Sequence, residues 1–208
     1  MRIIRRICNL NDGTQVSVYE VTFYTNEKED EEKVKKAESF ASYTSGQTYK
    51  RSGMNNKEHK KNILIGKLAE TAFAGLMEQF FNQKLEVNYK NEVDKYDFLL
   101  NGIYRVDIKS SSLRTKQKTY SLEDALLHLN FTVLEDQSLK DIIVQALYPS
   151  RDYFFKFYFS KWACVKDVLK YCDNQTRFIK MNGNSGKYYL MPLHKGKDID
   201  LIKQASCI

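Results

Sequence analysis

Apolar and polar positions alternate imperfectly over residues 2–8 and 15–24, with Asn11-Asp12-Gly13 between them, which predicts an N-terminal β-hairpin. Residues 27–40 place acids first and lysines later and hold few apolar positions, so they predict a largely solvated helix aligned with its own dipole. Residues 43–61 are polar and basic, a long connector. The clearest helix is 62–81, with Asn62 placed to cap it. Leu64, Leu68, Ala72 and Leu76 form one stripe, and Ile63, Gly66, Phe73, Ala74 and Met77 surround Glu70 on the other side. Downstream the pattern predicts a strand over 84–89, two strands within 96–112 around Asn101-Gly102, and a Ser-capped helix over 121–129. A nearly continuous apolar strand over 141–148 follows, then an aromatic strand over 153–159. The chain then predicts a helix over 160–171 with Trp162, Val165, Val168 and Leu169 inward, and a hairpin from 177–181 and 187–191. A crossover helix before a strand buried on both faces allows a parallel or mixed sheet, which makes the class α/β.

With 208 residues the chain can bury one good core with a small addition. The expected division is 1–61, comprising hairpin, helix and basic connector, and 62–208, comprising the core with a C-terminal sheet extension. Lys and Arg total 33 against 26 acids, a net +7 that favours a polyanionic partner without demanding one. Aromatic residues at 13% with only 2 Pro describe a folded globule and exclude a disordered tail. No window holds 18 apolar residues and no long apolar core follows the basic N-terminus, so the expectation is a soluble cytoplasmic protein with no membrane partner. Cys8, Cys164, Cys172 and Cys207 lack Cys-x-x-Cys spacing and a nearby His, which argues against zinc. Reduced thiols are expected, with Cys164 and Cys172 in or beside a core.

Three charges interrupt the apolar hairpin: Asp97 opens its first strand, and Asp107 and Lys109 share one face of its second. A carboxylate and an ammonium on such a strand are costly to bury unless paired. The register decides whether they can act together. A two-residue Asn101-Gly102 loop sends Asp97 and Asp107 to opposite faces. A three-residue loop, Leu100-Asn101-Gly102 with Gly102 in the left-handed region, pairs Asp97 with Arg105 and brings Asp97, Asp107 and Lys109 to one face. Glu70, on an otherwise apolar helix, needs a cation, which is either Lys67 or a metal.

Asp97, about ten residues, then Asp107-Ile108-Lys109, with Glu70 on the helix before, resembles the core of the PD-(D/E)XK nuclease superfamily over roughly residues 62–150. Tyr96 stands where the Pro of the motif would be, a departure shared by many members. The resemblance implies a restriction-endonuclease-like core, a central mixed β-sheet flanked by helices in αβββαβ order, here behind an N-terminal β-hairpin and helix. It implies a metal-dependent endonuclease that hydrolyses DNA phosphodiester bonds in the manner of restriction enzymes or resolvases and leaves 5′-phosphate and 3′-hydroxyl ends. Asp97 and Asp107, with Glu70, would hold Mg²⁺, for which Mn²⁺ could substitute, and Lys109 would orient water or stabilise the transition state. The implied partner is DNA, double-stranded, met by a homodimer with one site per strand.

Two basic stretches are candidates for gripping phosphates. Ser110, Ser111, Arg114, Lys116 and Lys118 follow the motif directly, and Lys50 and Arg51 lie in the connector, where a plain solvated linker is an equal reading. The alternative function is a catalytically inactive nucleic-acid-binding protein on a nuclease fold. A third reading is an interaction protein whose charges merely solvate it.

Overall fold

The computed structural model describes residues 1–46, 55–90, 96–115, 117–134, 140–173 and 188–207. Its centre is a mixed seven-stranded sheet flanked by helices, which fits the expected α/β class. Strands β1 (Arg2–Asn9) and β2 (Gln15–Thr22) form the expected antiparallel hairpin. β2 also pairs with β7 (Lys156–Cys164), so the hairpin is built into the central sheet. The full order is β1-β2-β7-β6-β4-β3, with β3 (Phe98–Leu100), β4 (Tyr104–Ser112) and β6 (Ile142–Tyr148), and with β9 (Lys197–Asp198) on β7. β4 and β6 run parallel, joined through α3 (Leu122–His128), whose N-terminus Ser121 caps by accepting the Asp124 N–H.

Two layers of side chains sandwich this sheet, as strand alternation requires. Val106, Ile108, Ile142 and Val144 face α1 (Lys28–Thr44) and α2 (Asn56–Phe81). Ile143, Leu147 and Ala163 face α3, α4 (Val165–Asp173) and a small two-stranded sheet of β5 (Asn130–Leu134) and β8 (Tyr188–Pro192). Phe73 of α2 is fully buried, with ring centroids 5.9 Å from Phe98 and 5.7 Å from Phe159. Truncating such a ring to alanine costs roughly 3–5 kcal/mol. This packing fixes the middle of α2, and therefore Glu70, against the base of the hairpin.

Several sequence expectations are corrected. α2 begins at Asn56 and its cap is Asn55, in a reciprocal capping box with Glu58; Asn62 is an interior helix residue. The first turns carry lysines and no apolar stripe, so periodicity alone read them as connector, and the 61/62 boundary falls inside this helix. Residues 84–89 form no strand. Asn82 ends α2 in the left-handed conformation (φ 49°), and Leu85, Val87 and Tyr89 then pack on the core without a ladder partner. The alternation there reflects one-sided packing, and the αβββαβ order therefore lacks its first strand.

The expected helix 160–171 is also shortened, because Ser160 to Cys164 continue β7. Ser160 Oγ donates to Ser17 O of β2 (2.8 Å) and Trp162 Nε1 to Asp198 O of β9 (2.9 Å), the two strands that share the edge of β7 opposite β6. Of the hairpin expected from 177–181 and 187–191, the first half lies outside the described residues, and β8 pairs instead with β5, a strand the pattern did not signal. Cys164 and Cys207 form a disulfide with Cα atoms 5.7 Å apart, where reduced thiols were expected; Cys8 and Cys172 are buried thiols. The C-terminal turn Ile199–Gln204 returns the chain to β7, a long-range contact that cysteine spacing does not encode. Among the described residues no helix is long and apolar enough to cross a membrane.

Candidate active site

The hairpin of β3 and β4 reconciles the two registers weighed from sequence. Asn101 (φ 54°) and Gly102 (φ 69°) both take positive φ, the demand of a primed hairpin turn, and Ile103 N–H donates to Leu100 O at 3.1 Å. Ile103 is then an extra residue before β4, so the ladder pairs Leu100 with Tyr104, Leu99 with Arg105 and Phe98 with Val106. The loop has three residues, as a shared site requires, but they are Asn101-Gly102-Ile103. Continued by one step, this register sets Asp97 opposite Asp107, where the expected loop had set it opposite Arg105. The parity is the same, and Asp97 feels the charge of Asp107.

Asp97 lies just beyond the regular ladder. Its N–H donates to Val106 O (2.9 Å), and its Oδ2 accepts the Ile108 N–H (2.6 Å), so the side chain takes the place of a missing strand residue. Burial raises the Asp97 pKa and the charge of Asp107 adds to the rise, against the Ile108 N–H. Asp107 is buried, with Lys140 on its Oδ1 and Lys109 Nζ 2.6 Å from its Oδ2. The Lys109 ammonium sits off the line of a hydrogen bond, so Asp107 Oδ2 is a buried oxygen with an ionic neighbour and no hydrogen-bond donor. Its charge is met, and its directional valence is unspent.

Glu70 approaches from α2. Its Oε2 is 2.6 Å from Lys67 Nζ, which also donates to Asn88 O (2.9 Å) and lies 4.5 Å from the centre of the Phe40 ring. Burial pushes the Glu70 carboxyl up to about 8, and the charge of Asp97 adds to it, outweighing Lys67. Of the two cations proposed for Glu70, Lys67 is present. Glu70, Asp97, Lys67 and Lys90 line one cleft of ≈ 290 Å³ with Phe40, Ile63, Gly66 and Asn88.

The expectation is that Asp97 and Asp107, with Glu70, hold one or two ions. Among the described residues no three His, Cys, Asp or Glu side chains are grouped closely enough to hold a metal together. Strand alternation supplies the reason. Val106 and Ile108 face α2, so Asp107 and Lys109 leave β4 on the other side, and Asp97 at the sheet edge lies between Asp107 and Glu70. The donor types nevertheless suit a hard divalent cation: three carboxylates, two of them with raised pKa values, and one buried oxygen lacking a donor.

The phosphate-binding candidates divide. Ser110 and Ser111 continue β4 beyond Lys109, and Ser111 Oγ accepts from Gln145 Nε2 (3.1 Å). Arg114 and Lys118 are exposed on a turn closed by the Arg114–Thr119 bridge and by Thr115 Oγ1, which accepts the Lys118 N–H (2.9 Å). Lys116, Lys50 and Arg51 lie outside the described residues. Sequence reasoning missed Lys140. Its signal was the parallel pairing of two strands: Asp107 is level with Ile143, so the residues just before β6 lie beside the motif strand. It also missed Phe40 and Lys90, which line the cleft of Glu70, and Tyr89, which lines the space on the other side of Phe40.

No protein-family model matches the chain, no curated protein matches it, and no solved structure matches it. The fold and the geometry above therefore carry the functional reading alone.

Proposed function

We propose that this protein is a Mg²⁺-dependent DNA endonuclease of the PD-(D/E)XK type. The observation that carries the reading is that Asp97 closes onto the motif strand, its Oδ2 accepting the N–H of Ile108 next to Asp107, while Lys109 Nζ lies 2.6 Å from Asp107 Oδ2. Asp97 and Asp107 would hold the ion, with Glu70 acting across the adjoining cleft. When bound, the ion supplies Lewis-acid charge at the phosphoryl oxygen and lowers the pKa of water. Lys109, one-third exposed at its side chain, is free enough to swing from Asp107 toward a phosphate oxygen and offset charge developing there. Lys140 neutralises Asp107 from the other side and sets how readily that carboxylate accepts a second cation. Water oxygen bonds to phosphorus, the bond to the 3′ oxygen breaks, and the ends are a 5′-phosphate and a 3′-hydroxyl.

The partner in this reading is double-stranded DNA gripped by a homodimer, and the address is the cytoplasm. In a reducing compartment Cys164 and Cys207 would be held as neighbouring thiols. One observation favours the second reading, an inactive nucleic-acid-binding protein: Asp107 is closed by two lysines and, among the described residues, no three-ligand group stands ready. Incubating the purified chain with linear, circular, branched and single-stranded DNA and Mg²⁺ or Mn²⁺ separates the two. Cleavage is expected on at least one substrate, and Asp107→Ala should lower it by at least about a thousandfold while leaving DNA binding equal or tighter, since a charge that repels phosphate is gone. Mg²⁺-dependent cleavage surviving in Asp107→Ala would remove this site assignment.

A further inference from the structure

We propose that the side of α1 carrying Lys36, Phe40 and Tyr43, together with Tyr89, is a subsite for an unpaired nucleotide of a DNA strand leaving the carboxylate cleft. This rests on the nuclease reading and narrows its substrate to DNA with a single-stranded arm. The helix reads from sequence as solvated, yet Lys36, Phe40 and Tyr43 recur at helical spacing on one side of it. With Lys35, Ser39 and Tyr89 they line a cleft of ≈ 640 Å³, within the range that takes a small organic ligand. Phe40 also lines the cleft of Glu70 and Asp97, so the two spaces adjoin across one ring.

The aromatic groups are held as a platform. Tyr89 and Thr71 share a hydrogen bond between hydroxyls (2.8 Å), and the Tyr89 ring meets Phe40 edge to face at 6.3 Å. Tyr43, 53% exposed, is the ring open to a ligand. The charge fits a phosphodiester. Lys35 is drawn to Glu31 at 2.6 Å, while Lys36 and Ser39 line the same cleft as the rings and neither Glu32 nor Glu38 does. An ammonium and a hydroxyl beside an exposed ring suit a base with its phosphate. In a duplex the base faces are hidden by stacking, so this platform selects a strand whose bases are free.

The test uses the full chain without divalent ions and compares, by fluorescence anisotropy, a labelled single-stranded oligonucleotide with its duplex. Tyr43→Ala should weaken single-strand binding by about tenfold, the worth of one base–aromatic stack, while Tyr43→Phe stays within about twofold. Both variants should bind duplex as the parent does. Lys36→Ala should reduce the salt slope of single-strand binding by about 0.7. No single-strand binding by the parent, equal binding by Tyr43→Ala, or an equal loss on duplex would overturn the subsite. The nuclease reading fails separately. A chain that cleaves nothing with Mg²⁺ yet shows the Tyr43 effect keeps the subsite and loses the nuclease, and a chain that cleaves but ignores Tyr43 keeps the nuclease and loses the subsite.

Discussion

Two carboxylate sites share strand β4 and are wired in opposite ways. Asp141, at the mouth of β6, accepts the Arg105 backbone N–H and both Nε and Nη2 of its guanidinium, each at 2.9 Å. Those bonds hold its pKa below the ordinary carboxylate range. Asp97 and Glu70 face burial and the charge of neighbouring carboxylates, which raise both. One site lowers the energy of a negative charge and the other raises it. A fold gains nothing from the second arrangement by itself, and raised carboxylate pKa values gathered at a cleft mark a place where a ligand can lower them.

The largest expected contrast is therefore in stability. Asp141→Asn should destabilise the chain by about 1–2 kcal/mol, a value kept modest because the pair is partly exposed. Asp97→Asn at neutral pH should leave stability unchanged or raise it, since Asn Oδ1 can still accept the Ile108 N–H while the repulsion with Asp107 disappears. Urea melts of the two variants decide the matter. Equal losses would mean that Asp97 is as structural as Asp141, and the comparison would collapse.

Proton linkage sharpens the same contrast at Glu70. The unfolded chain releases this proton near 4.5 and the folded chain keeps it to about 8, so between those values the folded state holds more protons. Stability then falls as pH rises through that window, and the loss is complete above it. Glu70→Gln removes this slope, so the variant should match the parent near pH 4 and gain on it progressively up to about pH 9. Parallel stability curves would show that Lys67 already pins Glu70 as a carboxylate. The same raised proton makes a second readout available: Mg²⁺ binding at pH 7 should release protons, seen as a buffer-dependent heat in calorimetry.

How much was legible in the sequence follows from what kind of signal each part carries. Turn and cap signals found β1 and α3, and hydrophobic periodicity found β2, α2 and β6, because each of these presents an apolar face or run to the core. It failed where burial came from one side only, at Leu85 to Tyr89, and where polar residues were satisfied by distant strands, as at Ser160 and Lys161 of β7. The motif residues were legible through charge on an apolar hairpin. Their geometry was legible only as a parity condition, which Ile103 met as an extra loop residue that Asn-Gly does not announce. Lys140 and Phe40 could not be read locally, since a parallel partner and a helix packed across α2 bring them in.

The smallest effect concerns the turn after β4, and it separates phosphate holding from plain solvation. Arg114 and Lys118 are exposed on a turn whose own hydrogen bonds use its backbone and the Ser112 and Thr115 hydroxyls, so neither cation is needed to close it. Lys118 Nζ lies 4.6 Å from the centre of the Tyr120 ring on an exposed side chain, a contact at a surface site worth roughly 0.5–1 kcal/mol that a phosphate can displace. Replacing both with Ala should leave the melt within about 0.5 kcal/mol of the parent, as at other exposed positions. It should lower the slope of log affinity for duplex DNA against log salt by up to about 1.8, roughly 0.9 for each phosphate no longer neutralised. The weakening should be uniform across DNA sequences, because phosphate contacts position a duplex without reading it. An unchanged slope would make the turn an ordinary solvated one and leave the strand ends Ser110 and Ser111 as the polar edge of the site.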